Sequence, residues 1–284
     1  MNSQSRHEGS LVITGIETTP FHELPYRTSG ARQPQRCRLS FHRAFANGIP
    51  PGIQSLVFVS DLQGREIGGA NRLLGEVVAD ELNALVETGQ TPRPAAIFAC
   101  GDLYDYPDCH KRGGSGPVDA VFEAFTRAAS RVIGVLGNHD ELTDPQRLSN
   151  AVDLLDGDVV EDVYGLTVGG VSGIVGNPHR SQRRSAESFL QVTESVTDQK
   201  PDILLLHQGP TDPRRPDRRG DHDLELSLRS GFEGLTVFGH TRWEEPWLIP
   251  MGEGQVLNVD GRVVVVVPDT NSLEQKPANT LGKK

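Results

Sequence analysis

Short apolar segments alternate with helix-patterned segments along most of the chain, and this alternation restricts the possible folds more than any other feature. Leu56–Val59 and Ala95–Cys100 are apolar runs of strand length. Between them, apolar residues recur at steps of three and four, as on one face of a helix: Leu74, Val78, Leu82 and Leu85. Strands that alternate with helices of this length predict crossover connections and a parallel sheet.

The same patterns predict further elements in both halves of the chain. Two segments have the pattern of helices: Val118–Ala129 and Ala186–Val196. Six have the pattern of strands: Arg131–Leu136, Gly165–Val171, Ile203–Leu206, Leu235–Phe238, Gln255–Val259 and Arg262–Val267. The last two flank Asp260-Gly261, a dipeptide typical of tight turns, which predicts a hairpin.

No linker-like segment separates the two halves, so the sequence predicts one layered α/β domain over residues 53–268. Residues 1–52 are rich in Pro, Gly, Ser and Arg, and we expect an N-terminal extension with one early strand at Leu11–Gly15. Residues 269–284 are polar and are expected to form a disordered tail.

Charge and composition exclude several classes of protein. The 284 residues contain 28 Lys and Arg against 38 Asp and Glu, a net charge of −10, which disfavours general binding to nucleic acid. The longest apolar runs are far shorter than the ~18 residues that a membrane span needs. Met1–Ser10 has no apolar core typical of a secretory signal. The three cysteines form no CxxC pair, which suits a reducing compartment, so we expect a cytoplasmic protein that does not enter the membrane.

Most of the predicted strands are followed by side chains that bind metal ions. These side chains come from five separate segments: Asp61 and Gln63; Asp102; Asn138, His139 and Asp140; His207; and His240. Each alone could belong to a turn or a buried core. However, the carboxyl ends of parallel strands meet at one edge of a sheet, and burying carboxylates beside imidazoles is costly unless a cation compensates. The pattern therefore predicts a metal site at this edge.

Five short motifs contain these residues and occur in a fixed order within residues 54–267: Ser60–Gly64 (SDLQG), Gly101–Asp105 (GDLYD), Gly137–Asp140 (GNHD), His207–Pro210 (HQGP) and Gly239–Arg242 (GHTR). As a set they resemble the motifs of the calcineurin-like metallophosphoesterases. The resemblance implies a four-layer α/β/β/α sandwich with a metal centre at the strand ends. It also implies a metal-dependent hydrolase, a phosphatase or phosphodiesterase that cuts phosphoric esters.

Two positions depart from the family pattern. The family has histidines where this chain has Gln63 and Arg242. By resemblance, both missing imidazoles belong to one ion, metal 1, which would be held from positions 61, 63, 102 and 242. The residues that the resemblance assigns to the other ion, metal 2, are all present: Asp102, Asn138, His207 and His240. The departures therefore fall on one half of the centre.

The two replacing side chains differ in what they can do. Gln63 can offer an amide oxygen, a ligand that suits Mn²⁺ or Mg²⁺ better than Zn²⁺. The expected cofactor is one or two divalent ions, with Mn²⁺ favoured and Fe, Zn or Mg as alternatives. The guanidinium of Arg242 has no lone pair to offer, and its charge at ~4 Å from a dication would cost about 8 kcal/mol at an effective dielectric constant of 20. We therefore expect one firmly held ion, with Arg242 gripping a phosphate oxygen; the alternative is that Arg242 points into solvent.

The resemblance also implies roles for the residues that follow Asn138. His139 would be the general acid or contact the phosphate, without binding the metal, and Asp140 would fix the orientation of its ring. With Arg242 these are the expected catalytic residues.

Three functions remain open at this stage. The first is hydrolysis of a small anionic phosphoester, nucleotide-like or another phosphomonoester or phosphodiester. The second is a nuclease or other nucleic-acid phosphodiesterase, against which the net charge of −10 counts. The third is a binding protein that has kept the fold and lost catalysis with metal 1. Two arginine clusters, at Arg180–Arg184 and Arg214–Arg219, are either solvated loops or a positive rim that attracts an anionic substrate.

Overall fold

A computed structural model of the protein describes residues 11–30, 33–111 and 113–270. Its α-helices are α1 (Leu74–Glu87), α2 (Asp119–Ala128), α3 (Ala186–Thr197) and α4 (His222–Gly231), with a 3₁₀ turn at Pro145–Arg147. Its strands are β1 (Val12–Ile16), β2 (His22–Thr28), β3 (Gln35–Asn47), β4 (Leu56–Ser60), β5 (Ala96–Ala99), β6 (Gly116–Pro117), β7 (Arg131–Gly134), β8 (Asp140–Glu141), β9 (Val152–Leu154), β10 (Asp158–Val163), β11 (Leu166–Val171), β12 (Ile174–Val175), β13 (Arg183–Arg184), β14 (Ile203–Gln208), β15 (Leu235–Gly239), β16 (Leu248–Met251), β17 (Gly254–Asn258) and β18 (Arg262–Pro268).

Most of these strands form two mixed sheets. One has eight strands in the order β1-β3-β18-β4-β5-β7-β9, with β2 also paired to β3. The other has six strands in the order β10-β11-β14-β15-β17-β16. The parallel arrangement predicted from the sequence is present within each sheet, along β4-β5-β7-β9 and along β11-β14-β15-β17. Antiparallel strands extend both sheets, so neither is purely parallel.

The sheets lie face to face, and helices cover their outer faces. Buried side chains of α1 and α2 pack on the eight-stranded sheet, and those of α3 and α4 pack on the six-stranded sheet. Alternate residues of β4 show how this works, because Val57 and Val59 pack against the helices whereas Leu56 and Phe58 face the other sheet. A strand apolar on both faces is buried on both faces. The four-layer α/β/β/α sandwich predicted from the sequence is confirmed.

The predicted hairpin across Asp260-Gly261 is wrong. β17 belongs to the six-stranded sheet, whereas β18 lies in the eight-stranded sheet between β3 and β4. The segment between them crosses from one sheet to the other, with Gly261 at φ 60°. The physical reason is that β18 is apolar on both faces, so it is most stable in the middle of a sheet rather than in a local hairpin.

The N-terminal region contains more structure than the single strand expected there. β1 overlaps the predicted segment, and β2 and β3 follow it. β3 pairs with β18 along seven residues, so it belongs to the same eight-stranded sheet as the strands of the predicted domain. At the other end, the backbone N–H of Asp269 donates to the carbonyl of Ala46 at 2.8 Å. Residues 271–284 of the predicted tail lie outside the described residues.

Within residues 11–30, 33–111 and 113–270, none of the helices combines the length and the apolar character that crossing a bilayer requires.

Removing an aromatic ring between the sheets should test this layered core. Phe58 is 0% exposed and stacks on Phe98 with 4.8 Å between ring centroids. Phe58→Ala should lower the free energy of unfolding by about 3–5 kcal/mol, because it removes apolar contacts and leaves a cavity. Leu226→Ala, at a side chain that is 49% exposed, should change it by only about 0.5 kcal/mol. Denaturant titrations of both variants measure this, and equal effects would contradict the assignment of Phe58 to the core.

Candidate metal centre

Polar side chains from both sheets meet at one edge of the sandwich. Ligand atoms of Asp102, His207 and His240 all lie within 4.8 Å of one another. Asp102 follows β5 of the eight-stranded sheet, whereas His207 lies near the end of β14 and His240 follows β15 of the six-stranded sheet. The convergence expected from the sequence thus involves the strand ends of two facing sheets.

The backbone turns sharply where these side chains are presented. Asp61, Asp102 and His240 have φ values of 53°, 54° and 65°, in the left-handed region that residues other than glycine rarely adopt. Each such residue costs of order 1 kcal/mol. Asp61 and Asp102 follow the neighbouring strands β4 and β5, and His240 follows β15 of the facing sheet, so three sharp turns lie at this edge.

Two glycines allow the loops of the centre to approach one another. A Cβ atom at Gly137 would collide with the backbone nitrogen and carboxylate of Asp102. A Cβ atom at Gly239 would collide with the side chains of Ser60 and Asp61. The motifs around these residues therefore need glycine because other chain segments pass directly against them.

The carboxylate of Asp140 ties two of the motifs together. Its Oδ2 accepts hydrogen bonds from the backbone N–H of Asp102 at 2.7 Å and of Gly137 at 2.8 Å, and its Oδ1 accepts one from Leu103 at 2.7 Å. Burial, together with the charge of Asp102, raises the pKa of Asp140 to about 6, although the backbone hydrogen bonds oppose this shift. Among the described residues no hydrogen bond joins Asp140 to the ring of His139. The structure thus places Asp140 on the backbone rather than on the ring that the sequence analysis assigned to it.

His207 is held in one orientation inside the centre. Its Nδ1 lies 2.7 Å from the carbonyl oxygen of Cys100, which can only accept, so Nδ1 carries the proton of this hydrogen bond. Its Nε2 lies 3.4 Å from Oδ1 of Asp102, and the side chain is 0% exposed. Burial favours a low pKa for His207, but the neighbouring carboxylates of Asp102 and Asp61 outweigh it and raise the pKa to about 10.

The other members of the centre titrate abnormally for related reasons. Burial acts to raise the pKa of Asp102, but His207 and His139 together lower it. Burial raises the pKa of Asp61 well above its usual range, and the charge of Asp260 raises it further. Burial and the nearby His207 lower the pKa of His240 to about 4. The charge states of these groups therefore depend on one another, as is typical of functional sites.

The donor atoms fit a divalent cation. Oδ1 of Asn138 and Nε2 of His207 are buried without a hydrogen-bond partner in the described part of the chain. A buried polar atom left unpaired costs about 1–3 kcal/mol, which a bound cation would recover. One carboxylate, one amide oxygen and two imidazoles form a mixed oxygen and nitrogen ligand set suited to Mn²⁺, Fe²⁺ or Zn²⁺. We conclude that Asp102, Asn138, His207 and His240 are compatible with one bound ion.

Gln63 and Arg242, at the positions that the resemblance assigns to metal 1, form hydrogen bonds within the protein. Nε2 of Gln63 donates to Oδ2 of Asp102 at 2.8 Å, so Gln63 hydrogen-bonds to this carboxylate. Nη1 of Arg242 donates to the backbone carbonyls of Asp260 and Gly261 at 3.3 and 3.2 Å. Both side chains line a cleft of about 400 Å³ together with Asp61, Asp102, His139 and His240. Arg242 is thus half-exposed but lies at the edge of the centre rather than away from it.

His139 lies at the cleft without entering the cluster of ligand atoms. Its backbone N–H donates to Oδ1 of Asp102 at 3.0 Å. Its ring Nε2 is 4.0 Å from Oδ2 of the same carboxylate, and 21% of the side chain is exposed. The ring can therefore reach a molecule bound in the cleft while the backbone stabilises Asp102.

Asp260 is a site residue that the sequence analysis did not identify as such. It lines the same cleft, and its backbone forms an isolated β-bridge with Ser60, the residue before Asp61. The sequence analysis assigned it to a hairpin turn. The sequence does contain a signal for it, because Asp260 follows the apolar strand β17 just as Asp61 follows β4 and Asp102 follows β5.

Three of the seven arginines in the two clusters form ion pairs within the described part of the chain. Arg184 bonds to Asp156 at 2.8 Å, Arg215 to Asp217 at 2.9 Å and Arg218 to Asp212 at 2.9 Å. The second cluster lies in the loop before α4, a helix that the sequence analysis missed. Asp221 caps this helix by accepting from the backbone N–H of Leu224 at 2.9 Å.

A comparison of this structure with solved structures finds similar folds at low sequence identity. A crystal structure of TT1561 from Thermus thermophilus is 15% identical, with a TM-score of 0.49 over 73% of this chain and 89% of that chain. Another solved structure is 12% identical, with a TM-score of 0.52 over 77% of this chain and 95% of that chain. A structure of phosphopantetheinyl hydrolase (PptH) from Mycobacterium tuberculosis is 14% identical, with a TM-score of 0.42 over 80% and 94%. Likeness at this level concerns the fold alone.

Sequence comparison gives a more definite result at the level of the family. A search of curated proteins finds no match to the chain. By contrast, the sequence profile of the calcineurin-like phosphoesterases matches residues 55–250, which is more than half of the chain and contains all five motifs. The chain therefore belongs to the calcineurin-like phosphoesterase family.

Proposed function

We propose that this protein is a metal-dependent phosphoesterase that hydrolyses a small anionic phosphoester with one firmly held divalent ion. The observation that carries the proposal is the convergence of ligand atoms of Asp102, His207 and His240 within 4.8 Å. Oδ1 of Asn138, whose neighbour His139 is hydrogen-bonded to Asp102, is also buried without a partner among the described residues. Such a cluster is costly without a cation. When bound, the ion supplies a water molecule of lowered pKa and a positive charge for the phosphate oxygens.

Arg242 takes part of the role that metal 1 has in the family. Its guanidinium lies at the cleft that contains Asp61 and Asp102, and it cannot bind a cation itself. A planar guanidinium can bind two phosphate oxygens at once, so Arg242 would neutralise the phosphate where metal 1 is weak or missing. The hydrogen bond of Gln63 to Asp102 supports the same view, because the amide group of Gln63 donates to this carboxylate instead of offering its oxygen there.

His139 would deliver the proton that the leaving group needs. Its ring is partly exposed in the cleft, beside but outside the cluster of ligand atoms. An imidazole there can donate to the ester oxygen as the bond to phosphorus breaks. Asp140 acts through the backbone, because it holds the segments that carry Asp102 and Asn138 in place.

The charge of the protein favours a small substrate. With a net charge of −10, the chain would repel most of a long polyanion, which disfavours a nuclease. A binding protein without catalysis is the second candidate, because Gln63 and Arg242 both weaken the half of the centre assigned to metal 1. Hydrolysis of p-nitrophenyl phosphate or bis-p-nitrophenyl phosphate with Mn²⁺ tests this choice. Turnover supports the enzyme, and metal binding without turnover would favour the binding protein.

Counting metal ions tests the proposed centre. Protein loaded with Mn²⁺ and desalted should retain one ion per chain, measured by plasma mass spectrometry, and His207→Ala should retain none. The double variant Gln63→His with Arg242→His should retain a second ion, because it restores two imidazoles and removes a repelling charge. Two retained ions in the unaltered protein, with Arg242→His leaving that number unchanged, would refute the one-ion centre.

Removing the His139 ring should separate catalysis from metal binding. His139→Ala should lower kcat by about 10²- to 10⁴-fold on p-nitrophenyl phosphate while the metal content stays unchanged. His110→Ala is a matched control, because that histidine is exposed and pairs with Asp108 outside the centre, and its kcat should stay the same. Loss of the metal from His139→Ala would show instead that His139 is a ligand.

Weakening the hydrogen bonds of Asp140 to the backbone should lower the affinity of the centre for its metal ion. The two carboxylate oxygens of Asp140 accept three backbone N–H groups. Asp140→Asn keeps the size of the side chain but replaces one of these acceptor oxygens with an NH₂ group, which cannot accept them. We expect the dissociation constant for Mn²⁺ to rise by about 10- to 100-fold, measured by calorimetry. At saturating Mn²⁺ most of the kcat should return, which a catalytic role for Asp140 would not allow.

A further inference from the structure

A second cleft adjoins the metal centre. It has a volume of about 450 Å³ and shares His240 and Arg242 with the first cleft, so these two residues border both clefts. We call it the arginine cleft; its lining residues are Arg215, Asp217, Arg218, Arg219, His240, Thr241, Arg242 and Glu244. Four arginines and two acidic residues therefore surround it, which gives it a positive balance on a protein of net charge −10.

Two of the four arginines are already paired with acidic residues of their own loop. Arg218 is buried, pairs with Asp212 at 2.9 Å and lies over the ring of Trp243 at 5.0 Å. Arg215 pairs with Asp217 at 2.9 Å. The contacts of Arg218 with Trp243 and with the carbonyl of Glu244 fix the loop before α4 against the segment that follows His240, whereas the Arg215 pair is exposed and lies within the loop.

The other two arginines are available to a ligand. Arg219 is exposed and forms no ion pair within the described ranges of the chain. Its backbone is nevertheless fixed, because its carbonyl accepts from Oγ1 of Thr241 and from Nε1 of Trp243, both at 3.1 Å. Nη1 of Arg242 is held by the carbonyls of Asp260 and Gly261, but its contact with Glu244 is only 3.9 Å at an exposed position, so its other N–H groups are free to bind a ligand.

We propose that the arginine cleft binds a second phosphate group of the substrate, one that is not cleaved. This inference rests on the proposed phosphoesterase function and narrows its substrate to small molecules that carry two separate phosphates. Guanidinium groups bind phosphate through paired hydrogen bonds, and a local positive cleft concentrates anions at an otherwise acidic surface. Arg242 lies between the two clefts, so it can contact the cleaved phosphate while Arg219 contacts the other.

The dimensions of the cleft agree with this class of substrate. Volumes of roughly 300–1,000 Å³ are typical of sites for small ligands. The arginine cleft falls in that range, and its content of charged rather than apolar side chains disfavours a lipid or an aromatic group. A sugar or nucleoside that carries a phosphate at each end would place one phosphate in each cleft.

The experiment compares matched substrates that differ by one phosphate. With Mn²⁺, kcat/KM is measured for adenosine 5′-monophosphate and adenosine 3′,5′-bisphosphate, and for fructose 6-phosphate and fructose 1,6-bisphosphate, with p-nitrophenyl phosphate as the single-phosphate reference. In at least one pair the bisphosphate should be preferred by about 10-fold or more, as expected for one charge-assisted contact. Arg219→Glu should abolish this preference, and Arg219→Lys should retain part of it.

Arg214→Ala is the matched control, because Arg214 is exposed in the same loop but does not line the arginine cleft. It should leave the preference unchanged, and thermal unfolding of each variant shows that the fold is intact. Hydrolysis of p-nitrophenyl phosphate without a preference for either bisphosphate would overturn this inference and leave the proposed function standing. The inference would also be overturned if Arg214→Ala and Arg219→Glu changed the preference for the bisphosphate equally. Faster cleavage of single-stranded oligonucleotides than of the bisphosphates would overturn it as well. Failure to hydrolyse any of these esters would overturn the proposed function itself.

Discussion

The structure depends on a cluster of carboxylates and imidazoles buried where two sheets meet. Asp102 and His207 are almost fully shielded from water, and Asp61 and His240 lie next to them. Although burial opposes both shifts, the neighbouring charges raise the pKa of His207 and lower the pKa of Asp102. Among them, Asp102, His207 and His240 have donor atoms close enough together to hold a cation. The remaining features of the edge hold this cluster together.

The fold keeps the cluster together by connecting distant segments directly. Asp140 joins the segments that follow β5 and β7, and Oδ2 of Asp61 accepts from the backbone N–H of His240 at 2.9 Å, which joins one sheet to the other. The crossing at Asp260-Gly261 adds a further link between the sheets. Left-handed backbone conformations at three of these positions are sustained because the surrounding contacts leave no alternative. Geometry of this kind is suited to a site that must be formed before its ligand arrives.

The sequence was most informative where a pattern has a single physical cause. The continuous apolar runs of β4, β5 and β14 predicted buried strands, and the polar residues after them predicted the edge that holds the centre. It was least informative where long-range contacts decide the outcome. The place of β3 inside the eight-stranded sheet is set by its pairing with β18, near the other end of the described chain, and the turn-like Asp260-Gly261 connects two sheets. Likewise, the contact of Asp140 with the backbone of Asp102 joins segments that are 38 residues apart, which spacing alone does not reveal.

The clearest measurement of the centre is a crystal structure of the protein grown with Mn²⁺ and phosphate, with anomalous scattering recorded at the manganese edge. One strong anomalous peak is predicted, bonded to Asp102, Asn138, His207 and His240, with the guanidinium of Arg242 on a phosphate oxygen. Two peaks of equal height, or these four side chains pointing apart with no peak between them, would contradict a phosphoesterase that works with one firmly held ion.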